Sequence, residues 1–235
     1  MARLKLITFD LDNTLWPVDA VIRQAEQTTR DWLLERDPAL ADTLTRASQA
    51  ALRDQLMAAH PDYHHNLSAL RRDTLVEGLK QAGYGEPEAR RWAADAFEVF
   101  LEARQQVTLF PDVVPTLEQL AGRYQIGALT NGNASLARIG LDHLFGFQHS
   151  SESIGRGKPD APIFLAALAS AKVRADQVVH IGDHPNDDVL AARSQGFDAV
   201  WANLLEMPWP EPLPADTPTL RSFADLPALL EQLDV

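Results

Sequence analysis

The chain has 235 residues, nearly half of them hydrophobic, with a formal charge of -12 and no cysteine. Such a length suits one large domain or a core domain carrying an insert. The charge argues against nucleic acid or an anionic membrane as the main partner, and the lack of cysteine excludes disulfides and thiolate metal sites. No run of about 18 apolar residues is present to span a bilayer. Met1-Ala2-Arg3-Leu4-Lys5 carries no signal-peptide pattern, so a cytoplasmic location is expected.

The first element is a short apolar run, Leu6-Ile7-Thr8-Phe9, that ends in Asp10-Leu11-Asp12-Asn13-Thr14. The run is long enough for a buried strand. Beyond its end the two carboxylates can converge, and their repulsion then requires a cation or a proton. From Asp19 onward the pattern turns helical. Val21, Ile22, Ala25, Thr29, Trp32 and Leu33 recur at helical spacing up to Pro38. Ala39 to Ala59, Asn66 to Ala82 and a stretch opened by Glu86-Pro87-Glu88 read as three further helices. Residues 16–107 are thus expected to form a four-helix insert, and residues 1–15 with 108–235 a separate core.

Past the insert, strand and helix patterns alternate. Strands are expected at Gln125–Leu129, Phe147–His149, Val178–Ile181 and Asp198–Ala202, with helices at 114–123, 136–144, 161–172 and 188–194. A proline-rich loop from Pro208 to Pro218 precedes a final helix near Leu226–Leu233. Alternation of this kind indicates an α/β fold, a doubly wound, Rossmann-like parallel sheet with an inserted all-α cap. In such sheets the site lies outside the carboxyl ends of the strands. Asp10/Asp12, Thr130/Asn131 and Asp183 all fall there.

The chemistry follows from charge. Asp10, Asp12 and Asp183, with Asp187 or Asp188 nearby, would repel one another, and a hard divalent cation such as Mg²⁺ resolves that. Lys158, Thr130, Asn131 and the Gly132 backbone offer an ammonium and neutral donors for an oxyanion. This set suits in-line phosphoryl transfer, with one aspartate as nucleophile and a second moving protons.

The same residues carry a family resemblance. Asp10-Leu11-Asp12-Asn13-Thr14 resembles the DxDxT motif of the haloacid-dehalogenase-like phosphatases. Thr130-Asn131-Gly132 resembles their second motif, Lys158-Pro159 their third, and Gly182-Asp183 with Asp188 their fourth. The helical insert after the first motif is similar to the cap of one subclass. The resemblance implies Asp10 as nucleophile and Mg²⁺ ligand, and Asp12 as general acid/base with its carbonyl also on the metal. It further implies Thr130, Asn131, Gly132 and Lys158 as the phosphoryl-binding set, and Asp183 and Asp188 as metal ligands. Whether Asp187 or Asp188 faces the metal stays open, and Thr14 is expected behind the reacting groups.

Against these stand plainer expectations. His60, His64 and His65 suit a solvated turn; Trp32 and Trp92 suit packing; Trp16 and His184 fit either a structural or a substrate-side role. A dehalogenase, a phosphomutase and a silent binding protein on the same scaffold are the competing functions. The wider run FDLDNTL, ALTNGNA, KPDAPIF and HIGDHPNDDV is similar to the bacterial riboflavin-pathway phosphatases. Those enzymes act on flavin mononucleotide (FMN) and on 5-amino-6-(5-phosphoribitylamino)uracil. The expected partner is a small phosphate monoester, which a sugar phosphate or nucleotide also satisfies, and both a monomer and a homodimer are compatible with the sequence.

Overall fold

The computed structural model describes residues 3–209, 211 and 213–234. They fall into two compact units, Met1–Val18 with Val107–Val235 and Asp19–Gln106.

The first unit is built on a parallel sheet of order β3-β2-β1-β4-β5-β6. Its strands are β1 (Leu6–Phe9), β2 (Gln125–Thr130), β3 (Phe147–Ser150), β4 (Val178–Gly182), β5 (Asp198–Ala202) and β6 (Thr219–Leu220). The central strands β1 and β4 are buried along their whole length, as expected for a parallel sheet covered on both faces. Strand alternation sorts side chains to two cores. Ile7, Phe9, Ile126, Val179, Ile181 and Val200 face one way, joined by Leu117, Leu120, Leu226 and Leu230. The last four come from helices Val113–Ala121 and Leu226–Leu233. Leu6, Leu129, Val178, Ala199 and Trp201 face the other, against Ile163, Phe164 and Ala167 of helix Ala161–Ala171 and Val189 and Ala192 beyond β4. Two polar residues share that second face, Thr8 and His180, which stand opposite each other in the β1–β4 register.

The second unit contains helices Val18–Arg36, Arg46–Ala59, Leu67–Gln81 and Glu86–Arg104, numbered α1 to α4. A single helix was expected from Ala39 to Ala59, and the structure divides it. Pro38–Ala41 is a 3₁₀ turn capped by Asp37, and Thr45 restarts the chain as an N-cap for Ser48. Asp, Thr and Ser side chains that bond their own backbone compete with helix continuation, which is why periodicity alone ran through the break. Trp32 and Trp92 form an edge-to-face pair 6.4 Å apart within this unit, a packing role. His60, His64 and His65 lie at a 3₁₀ turn, Pro61–His65, with no buried residue.

A further difference lies in the core unit. The two-residue strand β6 extends the sheet from a stretch between the proline-rich loop and the final helix for which no element was expected, pairing Thr219 and Leu220 with Trp201 and Ala202. Of the proline-rich loop, Pro210 and Pro212 lie outside the described residues, as do Met1 and Ala2 of the N-terminal run. No helix among the described residues is long and apolar enough to cross a membrane.

Ile7 is fully buried at the centre of the sheet. Ile7→Ala should therefore lower unfolding free energy by about 2–5 kcal/mol in denaturant titration. A loss below about 0.5 kcal/mol, the scale of a surface substitution, would contradict this placement.

Candidate active site

The site assembles at the carboxyl ends of β1, β2 and β4. Asp10 leaves β1 still tethered to the sheet, its N–H donating to the Ile181 carbonyl at 2.9 Å. The residue is 7% exposed. The chain then turns tightly: Asn13 takes a positive φ of 61°, its N–H donates to the Trp16 carbonyl, and its side-chain oxygen accepts from the Val18 N–H. Asn is one of the few side chains that tolerate this left-handed backbone. The turn buries Trp16 and points its indole N–H at Asp12 Oδ1, 2.9 Å away. Trp16 thus orients the second aspartate. Thr14 lies behind Asp10, with its hydroxyl 3.4 Å from Oδ2.

Lys158 comes in from the loop before helix Ala161–Ala171. Its ammonium donates to Asp10 Oδ1 and to Asp188 Oδ1, both at 2.6 Å, and the residue is 4% exposed. Asn131 holds this loop in place. Its Oδ1 accepts from the Lys158 N–H at 2.8 Å, and its Nδ2 donates to the Lys158 carbonyl at 2.7 Å. Gly157 must lack a side chain, because a Cβ there would collide with Asn131 Oδ1.

At the end of β4 the chain enters a π-helical turn, Pro185–Leu190, which runs on into the short helix Ala191–Ser194. Turns of this kind are frequent at functional sites. This one directs Asp188 inward. Its Oδ2 accepts from the His184 N–H at 2.9 Å, and Gly182 leaves room for the carboxyl that any Cβ would fill. Asp187 points elsewhere, 3.6 Å from His184 Nδ1 and 3.5 Å from Asn131 Nδ2. Of the two, Asp188 is the one turned toward Asp10. Ligand atoms of Asp10, Asp183 and Asp188 lie within 4.8 Å of one another. The Asp12 carboxylate is outside this group, so its expected metal contact rests on its backbone carbonyl.

Two residues of the site escaped sequence reading. His180, in the middle of β4, is fully buried; its Nδ1 meets the Thr8 hydroxyl at 2.9 Å and its Nε2 meets Asp188 Oδ1 at 3.0 Å. Burial pushes this imidazole below its ordinary pKa despite the neighbouring carboxylate. The neutral ring therefore donates from Nε2, since a carboxylate only accepts. A histidine within an otherwise apolar strand was the available signal. Trp201 of β5 donates its indole N–H to the Asp183 carbonyl at 2.8 Å.

The expected phosphoryl-binding donors divide. The Thr130 hydroxyl accepts from the Gly132 N–H at 2.9 Å, which uses a lone pair and leaves its own O–H to donate. The Gly132 N–H and the Asn131 side chain are engaged within the protein, as brace and not as open donors.

Electrostatics separates the carboxylates. Burial raises Asp10 well above the usual carboxylate range, against the pull of Lys158 and with repulsion from Asp188 and Asp183. Burial likewise pushes Asp183 up to about 7, with Asp188 adding to it. For Asp188 burial is outweighed by Lys158 and His180, which hold it below the usual range. Lys158 stands above the ordinary lysine value: burial opposes its charge, but Asp10 and Asp188 overcome that. Three carboxylates facing one ammonium leave excess negative charge in a buried place. An all-oxygen donor set with that excess fits a hard divalent cation, which Asp10, Asp183 and Asp188 could hold.

Residues 4–196 match the haloacid dehalogenase-like hydrolase family. The chain belongs to that family and is an enzyme of its hydrolase class. It is 29% identical over 86% of its length to 84% of the 5-amino-6-(5-phospho-D-ribitylamino)uracil phosphatase YigB of Escherichia coli. It is also 29% identical, over 84% of its length, to 83% of a glyceraldehyde 3-phosphate phosphatase of Methanopyrus kandleri. Among solved structures, a 2-haloacid dehalogenase from Pseudomonas syringae pv. Tomato superposes with a TM-score of 0.90 at 42% identity, covering 97% of this chain and 99% of that one.

The raised carboxyl of Asp183 has a consequence for stability without metal. The folded chain retains a proton that the unfolded chain releases above about 3.9, so stability falls as pH rises from there through the folded value. In EDTA, Asp183→Asn should melt several degrees above the unsubstituted chain at pH 8, and the gap should narrow at pH 5. An unsubstituted chain that is equally or more stable at pH 8 would contradict the electrostatic account.

Proposed function

We propose that this chain is a Mg²⁺-dependent phosphomonoesterase that works through an aspartyl-phosphate on Asp10. The observation that carries this reading is the convergence of Asp10, Lys158, Asp183 and Asp188 beside Asp12, a second aspartate held by Trp16.

In the first step an Asp10 oxygen attacks phosphorus as the ester P–O bond breaks, giving an acyl phosphate and an alcohol. Lys158 favours the ionised form of Asp10 against its burial and offers its third N–H as a hydrogen bond to a phosphoryl oxygen. The Thr130 hydroxyl donates to a second phosphoryl oxygen. Asp12, fixed through Oδ1 by the Trp16 indole, gives its proton to the leaving oxygen, then takes one from the attacking water. Water bonds to phosphorus, the Asp10–phosphorus link breaks, and inorganic phosphate and the Asp10 carboxylate are regenerated. Mg²⁺, held by Asp10, Asp183 and Asp188 and by the Asp12 carbonyl, would neutralise the excess negative charge and the phosphoryl oxygens.

For the substrate, the similarity to YigB supports a ribityl phosphate of the riboflavin pathway or FMN. The glyceraldehyde 3-phosphate phosphatase similarity supports the broader class of small sugar phosphates. Residues 16–107 are the segment in which we place specificity. A second reading, haloacid dehalogenation, is favoured by the Pseudomonas syringae structure. It needs the nucleophilic carboxylate, but neither a metal nor an acid at Asp12. Asp183 and Asp188 would then add uncompensated negative charge around a nucleophile that must stay ionised, which weighs against it.

Asp10→Asn should reduce phosphate release by at least roughly 10³-fold, as expected when a nucleophile is removed. Asp12→Asn should act comparably, and EDTA should abolish turnover reversibly. These are checked by phosphate release over a panel containing FMN, glyceraldehyde 3-phosphate and a nucleoside monophosphate, ranked by kcat/KM. Metal-independent halide release from 2-chloropropionate, without phosphate release from any ester, would establish the second reading instead.

A further inference from the structure

The helical unit contains a cavity of about 500 Å³ lined only by residues of that unit. Five arginines converge on it, Arg23, Arg30, Arg46, Arg53 and Arg71, with Glu26 the one acidic side chain among its lining. Acidic residues outnumber basic ones between positions 19 and 106, so the cavity reverses the sign of the unit around it. Its remaining walls are largely apolar: Leu33, Leu70 and Phe100 are buried behind it, while Ala50, Met57 and Leu67 keep accessible apolar surface.

The arginines are not equivalent. Arg30 is spent on the scaffold, donating to the Leu44 and Ala41 carbonyls at 3.0 and 3.3 Å. Arg71 is held rigidly at the inner wall. Its guanidinium lies 3.7 Å over the Phe100 ring and donates to Glu26 at 3.1 Å, which occupies one of its five N–H groups. Arg53 lies close enough to oppose the charge on Arg71, as does Arg104. Arg23 and Arg53 are half exposed, with their acidic neighbours at 3.9 and 3.8 Å, the outer limit of ion pairing. Pairs at that distance and exposure contribute little to stability. Arg46 is exposed at the rim.

Clustered guanidinia repel one another, and an anion seated among them relieves the repulsion. An inorganic anion would use the charge but leave the apolar walls uncovered. The volume is that of a small-molecule pocket, in which apolar walls bury the body of a ligand and a few polar groups orient it. We infer that this cavity is a binding site for a small amphipathic organic anion, a carboxylate or phosphate on an apolar or aromatic body. The anionic group would meet Arg53 and Arg71, and the body would lie against the accessible apolar surface of Ala50, Met57 and Leu67. The inference stands apart from the phosphoryl chemistry, and neither one fails with the other.

The probe is 8-anilinonaphthalene-1-sulfonate, an aromatic anion, titrated into the full chain by fluorescence. One saturable site per chain is expected, weakened at least tenfold by the double variant Arg46→Gln/Arg53→Gln and at least as much by Arg71→Gln. Arg46 and Arg53 are solvent-facing enough for their variant to fold even if Arg71→Gln, which strands Glu26, does not. The uncharged analogue N-phenyl-1-naphthylamine should bind at least tenfold more weakly. No saturable binding, equal binding by the Arg46→Gln/Arg53→Gln protein, or equal affinity for the uncharged analogue would overturn the inference. Displacement by inorganic phosphate as effective as by naphthoate would overturn the amphipathic class.

Discussion

The ammonium of Lys158, buried between Asp10 and Asp188, is the contact on which the rest of the site depends. An ammonium in such a place is tolerable only while its carboxylates stay, and the carboxylates only while it stays. Each partner is fixed by a separate part of the fold. β1 delivers Asp10, the π-helical turn after β4 delivers Asp188, and Asn131 at the end of β2 clamps the Lys158 backbone from both sides. His180 and Thr8 complete the arrangement from beneath, since the imidazole donates to the same Asp188 oxygen that the ammonium uses. Even so, the charges do not balance. Asp183 adds a further carboxylate beside Asp10 and Asp188, and the group of three suits a hard divalent cation.

Much of this was legible in the sequence because the sheet speaks in a simple code. Short apolar runs end abruptly in Asp10, Thr130 and Asp183, and strands that stop in polar residues place those residues at one edge. What escaped depends on contacts between distant positions. Nothing local distinguishes Asn131 as a donor to substrate from Asn131 as a clamp on Lys158, because both need the same amide. Asp187 and Asp188 differ by one position, and only the π-helical turn, together with the room left by Gly182, decides which enters. His180 was hidden by its apolar neighbours on β4. Trp201 reaches back to Asp183 from the next strand over, a contact no spacing encodes.

The helical unit is the opposite case. Its periodicity reports packing faithfully, down to the Trp32–Trp92 pair, yet says little about what the unit recognises. Helical spacing marks which side chains are buried and leaves the selectivity of a polar lining unspecified. The arginines of that unit are scattered along three helices in the sequence, and only the fold gathers them on one cavity. Dehalogenases and phosphatases share the carboxylate nucleophile, so the distinction rests on what surrounds it. On the function proposed above, Asp12 moves the proton and Asp183 with Asp188 supplies oxygen ligands, neither of which carbon–halogen displacement uses.

The central claim is that Asp10 carries the phosphoryl group, and it can be tested by trapping that bond. An acyl phosphate is reduced by borohydride to an alcohol, so enzyme quenched during turnover of a phosphate ester and then reduced should yield homoserine at position 10 by peptide mass spectrometry. The account predicts homoserine at that position and none in enzyme incubated without substrate. Homoserine at another aspartate, or an unmodified Asp10 in enzyme releasing phosphate at its full rate, would contradict it.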